Sequence, residues 1–264
     1  MSKATRNPII KEQRLPQAPD LRPRFAEHYQ QLNGLRRRVR RIRQDARAVR
    51  DQIFLKHFTL TPSTTVLDLG SGDGSHIARM VSRTKINPAN IFIADILEAA
   101  ISAGQRKFGF TPVLIPEHGR LPFDDKSFDV VFSSSAIEHV TVAKQEIWKL
   151  SSGRKFSARA MLTQQQFAAD IRRIGKTYFV QTPNKRFPIE SHSWLPLLGW
   201  LPRNLLLPTL TLTNQFWIKK TMPDWRLLTK GEMKTLFPDA QIVTEHFLGL
   251  AKSFIALKPL PPLT

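Results

Sequence analysis

Cysteine is absent from the 264-residue chain, and that absence closes off several chemistries. No disulfide framework, thiolate zinc site, iron–sulfur cluster or cysteine nucleophile can be built. No other metal-ligand set is recognised either. Long apolar runs are also missing: no stretch of eighteen apolar residues occurs, so no transmembrane helix is expected. Met1–Asp20 lacks an apolar h-region, which argues against a secretory signal, and Glu12 and Asp20 argue against a transit peptide. A cytoplasmic protein is expected, with membrane association left open by its charge. Acidic residues are scarce, 21 Asp and Glu against 40 Lys and Arg, for a net charge of +19.

That excess is uneven. Residues 1–57 hold fifteen Lys and Arg against five Asp and Glu. Within them Leu32, Leu35, Val39, Ile42, Ala46, Val49 and Ile53 recur in steps of three and four, which predicts one helical seam. Arginines, from Arg36 to Arg50, cover the rest of that helix. Two readings stand: a helix packed on the main domain with a solvated basic face, or a surface for phosphate, on an anionic membrane or on nucleic acid. Residues 1–57 are therefore taken as a basic helical extension and 58–264 as the main domain.

From about residue 60 strands alternate with helix-length segments. Thr65–Leu69, Ile91–Asp95, Pro112–Ile115, Phe128–Phe132 and Thr177–Gln181 are apolar strands. Helices are expected near Ile77–Val81, Leu97–Phe108 and Arg226–Phe237. This order predicts parallel βαβ units in a doubly wound α/β sheet. Gln241–Phe247 and Ser253–Leu257, joined across Gly249, read as an antiparallel hairpin. A seven-stranded, mostly parallel sheet closed by a C-terminal hairpin follows.

The most informative stretch is Val66-Leu67-Asp68-Leu69-Gly70-Ser71-Gly72-Asp73-Gly74-Ser75. A strand ends, glycines turn, and a helix opens, so a ligand can approach the backbone. Ser75 stands where a dinucleotide fingerprint would have its third glycine. Asp68 puts a carboxylate at the loop mouth, which suits a cation and repels a pyrophosphate. Asp95, at the end of the second strand, can accept from both hydroxyls of a ribose, although a helix cap is a rival role. Glu117, after the third strand, could accept from an adenine amino group.

Val66–Gly74, Asp95 and the run from Leu121-Pro122-Phe123 through Ser133-Ser134-Ser135-Ala136-Ile137-Glu138-His139-Val140 resemble the class I S-adenosylmethionine-dependent methyltransferases. The nearest branch methylates small molecules, including quinones and other lipids. The resemblance spans roughly residues 60–258 and implies a Rossmann-like methyltransferase fold with S-adenosylmethionine as cofactor. It implies that Asp68, Gly70 and Gly72 line the methionine end of the cofactor, Asp95 the ribose and Glu117 the adenine edge. Ile96 and His118 pack nearby, and Ser71 and Ser133 complete the cofactor set. Glu117 departs from the Asp more usual in the family.

On the acceptor side, Ser133–Ala136 replaces the Asn/Asp-Pro-Pro-aromatic motif of enzymes that methylate amino groups of bases. His139 is the candidate general base, against a helix-start histidine bonded to backbone. Glu138, Asn184 and His192 are candidate substrate-binding residues, with a structural loop anchored by Asn184 and His192 as the rival account. Residues 184–225 form an apolar insertion, and Pro183 before it with Pro188, Pro196, Pro202 and Pro208 within it are expected to break any long helix. It reads as core, as a lid over a greasy acceptor, or as an interfacial foot. The expected activity is methyl transfer to a small or lipid-like acceptor at oxygen or carbon. An RNA methyltransferase, or a non-catalytic protein that binds a partner through its N-terminal helix, are the alternatives.

Overall fold

The computed structural model describes residues 48–190, 192–217 and 219–259. The chain divides into two units, Met1–Asp45 and Ala46–Thr264, and every described residue lies in the second. The expected seam from Leu32 to Ala46 and the phosphate-seeking arginines before Arg50 therefore lie outside the described residues.

Apolar β-branched and aromatic runs bounded by glycine and proline form seven strands: β1 Val66–Leu69, β2 Ile91–Asp95, β3 Thr111–Leu114, β4 Phe128–Ser134, β5 Gly175–Pro183, β6 Gln241–Phe247 and β7 Leu250–Lys258. Their order is β3-β2-β1-β4-β5-β7-β6. β1 to β5 are parallel, and β7 runs antiparallel to both β5 and β6. The expected doubly wound sheet with a late hairpin is present. Leu248 and Gly249, both at positive φ, make the two-residue hairpin turn, whose twist matches that of the flanking strands.

Alternation along each strand sends side chains to two buried layers. Leu67, Leu69, Val131, Tyr178 and Val180 pack with Ile171 of α4 (Gly153–Ile174) and Met233 of α6 (Lys230–Leu236). On the other face Val66, Ile91, Ile93, Phe132 and Phe179 meet Ile77 of α2 (Ser75–Val81) and Ile101 of α3 (Glu98–Phe108). The sequence pattern named no element for residues 153–174, where the longest described helix lies, opened by the Ser152 side chain accepting from Lys155 N.

Residues 48–57 form helix α1, and they join this second layer rather than the extension to which they were assigned. Phe54 is fully buried, stacked on Phe58 at 4.7 Å and edge-on to Phe132 and Phe179. Val49, expected on the buried seam, is exposed. The buried line runs instead through Arg50 and Phe54 to Phe58 just past the helix, and Arg50 Nε donates to Glu245 Oε2 of β6 at 3.0 Å.

Within the insertion, residues Arg203–Phe216 form a fourteen-residue helix, α5, with Pro208 inside it. The expectation that prolines leave only short pieces is corrected. Pro202 precedes the first turn and Pro208 sits in the second, so the helix forgoes a single backbone bond to the Asn204 carbonyl. Leu206, Leu207 and Leu210 bury one side of α5, and Leu198, Trp225 and Leu227 share a small cluster with it. No helix among the described residues is long and apolar enough to cross a membrane.

Candidate active site

The carboxyl ends of β1 to β4 open into a cavity of about 280 Å³. In a doubly wound sheet, ligands bind outside these strand ends. Gly70, Asp95, Ile96, Glu117 and His118 line it, as do Ser135, Ala136, His139 and Asp224.

The glycine loop is shaped for close approach. Gly70 has φ +76°, and a Cβ there would meet the Ala136 Cβ at 2.4 Å, so only glycine fits. Gly70 N donates to the Ala94 carbonyl at 2.8 Å, which pins the loop to β2. Gly72 N donates to Asp95 Oδ2 at 2.8 Å, and Leu97 N donates to Asp95 Oδ1 at 3.1 Å. Asp95 thus ties the loop to the start of α3 and keeps a second lone pair on each oxygen for a diol. Ser71 points its hydroxyl at the Gly72 carbonyl.

Asp68 lies under this loop, buried, and its Oδ2 has no hydrogen-bond partner. Burial, with Asp95 and Asp73 adding repulsion, pushes its pKa up to about 8. A buried carboxylate left unpaired calls for a cation. The amino group or sulfonium of S-adenosylmethionine is such a cation, so the residues present fit that cofactor: Asp68 for its positive end, Asp95 for the ribose, and Glu117 with Ile96 and His118 for the base. Ser133 does not join them. It is fully buried, and its hydroxyl donates to the Leu69 carbonyl at 3.0 Å. Its side chain couples β4 to β1, and Ser135 and Ala136 line the cavity in its place.

Ser135 leaves β4 at φ +59°, a left-handed conformation for a non-glycine residue. Its N–H donates to the Gln181 carbonyl at 2.9 Å, which holds the bend. The chain then enters a 3-10 turn, Ile137–His139, that sends Glu138 inward and His139 toward the cavity. His139 Nδ1 donates to Asp224 Oδ1 at 3.1 Å. A carboxylate can only accept, so Nδ1 carries the proton and Nε2 is the basic nitrogen of the neutral ring. Backbone anchors fix Asp224 in turn: Thr141 donates its hydroxyl to the Asp224 carbonyl at 2.6 Å, and buried Arg203 donates to the carbonyls of Ile147, Leu150 and Pro223. Asp224 escaped the sequence reading because nothing around it marks a site, and only the fold brings it to His139.

Glu138 and His192 meet behind His139. Glu138 is fully buried, and the Thr182 hydroxyl donates to its Oε2 at 3.1 Å. His192 Nδ1 donates to Glu190 Oε1 at 2.6 Å, and its ring stacks on Trp225 at 5.0 Å and stands edge-on to His139 at 4.6 Å. Burial would lower the His192 pKa, but the charge of Glu138 and the hydrogen bond and charge of Glu190 outweigh it and push it up to about 9. Asn184 does not reach the cavity. It is buried, donating to the Ala251 carbonyl at 2.7 Å and accepting from Arg186 N at 3.0 Å, so it anchors the loop as the rival account held.

Residues 66–150 match the family model described as a methyltransferase domain. The fold is shared with an O-methyltransferase candidate from Nostoc punctiforme PCC 73102, at 12% identity and a TM-score of 0.51 over 81% of this chain and 56% of that one. Weaker likenesses include a SAM-dependent methyltransferase from Aquifex aeolicus (15% identity, TM-score 0.43, 79% of this chain and 88% of that chain). Another is magnesium protoporphyrin IX methyltransferase from Synechocystis PCC 6803 with bound SAH (12%, 0.47, 82% and 83%). Comparison with curated proteins gave no match. The glycine loop, Asp68 and Asp95 lie within the residues that match the methyltransferase-domain model. The matched residues thus carry a methyltransferase domain, and the residues around the cavity fit S-adenosylmethionine as its cofactor.

Proposed function

We propose that the protein transfers a methyl group to an oxygen of a small, lipid-like acceptor. S-adenosylmethionine, when bound, supplies a methyl on a sulfonium that is already a good leaving group. The chain's own task is then to align the acceptor, exclude water and deal with the acceptor's proton. Asp68 balances the positive charge, Asp95 and Glu117 orient the nucleoside, and Gly70 against Ala136 forms the floor.

The observation that carries the reading is the pair His139–Asp224 on the cavity wall. A histidine whose Nδ1 is fixed by a carboxylate presents Nε2 to an acidic proton, which serves a hydroxyl acceptor and is superfluous for an amine that is already nucleophilic. The lipid-like class rests on α5. Leu205, Leu212 and Phe216 are exposed in helical register, opposite the buried Leu206, Leu207 and Leu210, and Leu201 is exposed just before the helix. Trp200 is 56% exposed at the start of this stripe, and exposed Lys220 follows its end. An apolar face flanked by an aromatic and a cation suits the interface of an anionic membrane, from which an apolar acceptor could be drawn.

The test is transfer of radiolabel from S-adenosylmethionine into a cell extract, followed by partition. Label in the organic phase with the wild-type chain and none with His139→Ala supports the reading. Label in nucleic acid overturns it and makes the arginines of residues 36–50 substrate-binding.

A further inference from the structure

Glu138, His139 and His192 each bring one potential ligand atom to within 4.8 Å of the other two. The first two are neighbours in one tight turn, and the third comes from the loop after β5, so the cluster exists only in the folded chain. Glu138 Oε1 is the oxygen that Thr182 leaves uncommitted: it is buried and has no hydrogen-bond partner. His192 Nε2 stands 3.8 Å from that oxygen, beyond hydrogen-bond distance. A fully buried carboxylate oxygen that has an ion-pair partner at 3.8 Å but no hydrogen bond is a costly feature.

Both imidazoles are held from behind. Asp224 fixes Nδ1 of His139, and Glu190 fixes Nδ1 of His192. Glu190 is itself held by the Ser193 backbone N–H at 2.5 Å and the Ser193 hydroxyl at 2.7 Å. Carboxylates behind histidines set the tautomer and ring plane, and this is the outer arrangement that metal-bound histidines use.

We propose that Glu138, His139 and His192 form a binding site for a divalent first-row transition ion at the acceptor end of the cavity. Two imidazoles and one carboxylate suit zinc, manganese, iron or cobalt rather than calcium or magnesium, which take oxygen ligands. Ligands each about 2.1 Å from a tetrahedral ion stand roughly 3.4 Å apart, so atoms now within 4.8 Å of one another draw together on binding. Three protein ligands leave a position for an oxygen of the acceptor. This site rests on the reading of the cavity as the acceptor's: with the ion bound, His139 Nε2 is a ligand rather than the base, and the ion lowers the pKa of the acceptor oxygen so that its proton is lost to water.

The full-length protein, stripped with a chelator and dialysed, is titrated with Co²⁺ while visible absorption is followed. A single equivalent per chain with ligand-field bands is expected, weakened about tenfold or more in His139→Ala and in His192→Gln and unchanged in His246→Ala. S-adenosylhomocysteine affinity is measured on every variant as a check of fold. Should His192→Gln fail to fold, His139→Ala, at a partly exposed position, decides alone. Absence of stoichiometric cobalt binding in a wild-type chain that binds S-adenosylhomocysteine overturns the proposal, and so does equal affinity in the variants. Full methyl transfer to the organic phase by stripped protein overturns the metal site and leaves the proposed function standing. Cobalt bound as expected with no such transfer supports the site and overturns the acceptor class.

Discussion

His139 Nδ1 and Asp224 Oδ1 lie 3.1 Å apart although 85 positions separate them in the chain. The first residue ends the turn that follows β4, and the second ends the insertion that follows β5. Their meeting closes the acceptor end of the cavity and joins the family-matched part of the chain to its insertion.

If this pair acts on the acceptor's oxygen, His139→Ala lowers kcat about 10²- to 10⁴-fold, the usual share of positioned proton transfer. Asp224→Asn has a smaller effect in the same direction, because the ring keeps a partner but loses its fixed tautomer. Cofactor affinity holds in both variants. Steady-state kinetics with calorimetry of S-adenosylhomocysteine checks this, and wild-type turnover in His139→Ala would contradict it.

Asp68 links cofactor binding to pH. Its raised value means that the folded chain holds a proton from the ordinary carboxylate range up to about pH 8. Over that window the unfolded chain has already lost the proton, so this group's contribution makes the fold less stable as pH rises, with the penalty complete above about pH 8. A cationic ligand reverses the preference. Binding below pH 8 must expel the proton, so affinity for S-adenosylmethionine falls by up to about tenfold per unit as pH drops. Asp73 and Asp95, the acidic neighbours, raise the Asp68 value further by repulsion. Calorimetry across the window should show proton release, and Asp68→Asn should abolish it.

Asp95→Ala should weaken cofactor binding by about 1–3 kcal/mol through lost charge-assisted hydrogen bonds. The variant also frees the Gly72 N–H and loosens the loop. Unchanged affinity would remove Asp95 from the ribose site.

Arg50 and Glu245 form a buried pair, and Ser253 donates its hydroxyl to the same carboxylate. Arg50→Ala strands that carboxylate and should cost about 3–5 kcal/mol of stability. Glu245→Leu in the same chain should restore most of the loss. Urea unfolding of the single and double variants decides, and a loss under about 1 kcal/mol in Arg50→Ala would show the pair to be solvent-screened.

Much of the fold was legible because its signals are local. The β1 to β5 strands are short apolar runs, and Gly70 and Asp95 mark the first two strand ends at spacings that the chemistry of the loop requires. The acceptor side was not legible in the same way. Ser133 and Ser135 differ by two positions, yet a backbone reversal at Ser135 decides which of them faces the cavity. Asn184 and His192 share one loop, but Asn184 is spent on backbone while His192 reaches Glu138. Helix α5 was hidden by Pro208, whose cost a second-turn position keeps to one hydrogen bond. The seam through Val49 failed for a related reason: the pairing of Arg50 with Glu245, 195 residues away, turned the helix face.

The central claim is methyl transfer to an oxygen of an apolar acceptor, and mass spectrometry tests it most directly. The full-length protein is incubated with S-adenosylmethionine bearing a deuterated methyl group and an organic-solvent extract of cells. The account predicts a lipid-phase product that gains one deuterated methyl, with fragmentation placing it on oxygen, and no such product from His139→Ala. A deuterated methyl found only on nitrogen, or only in nucleic acid or protein, would contradict it.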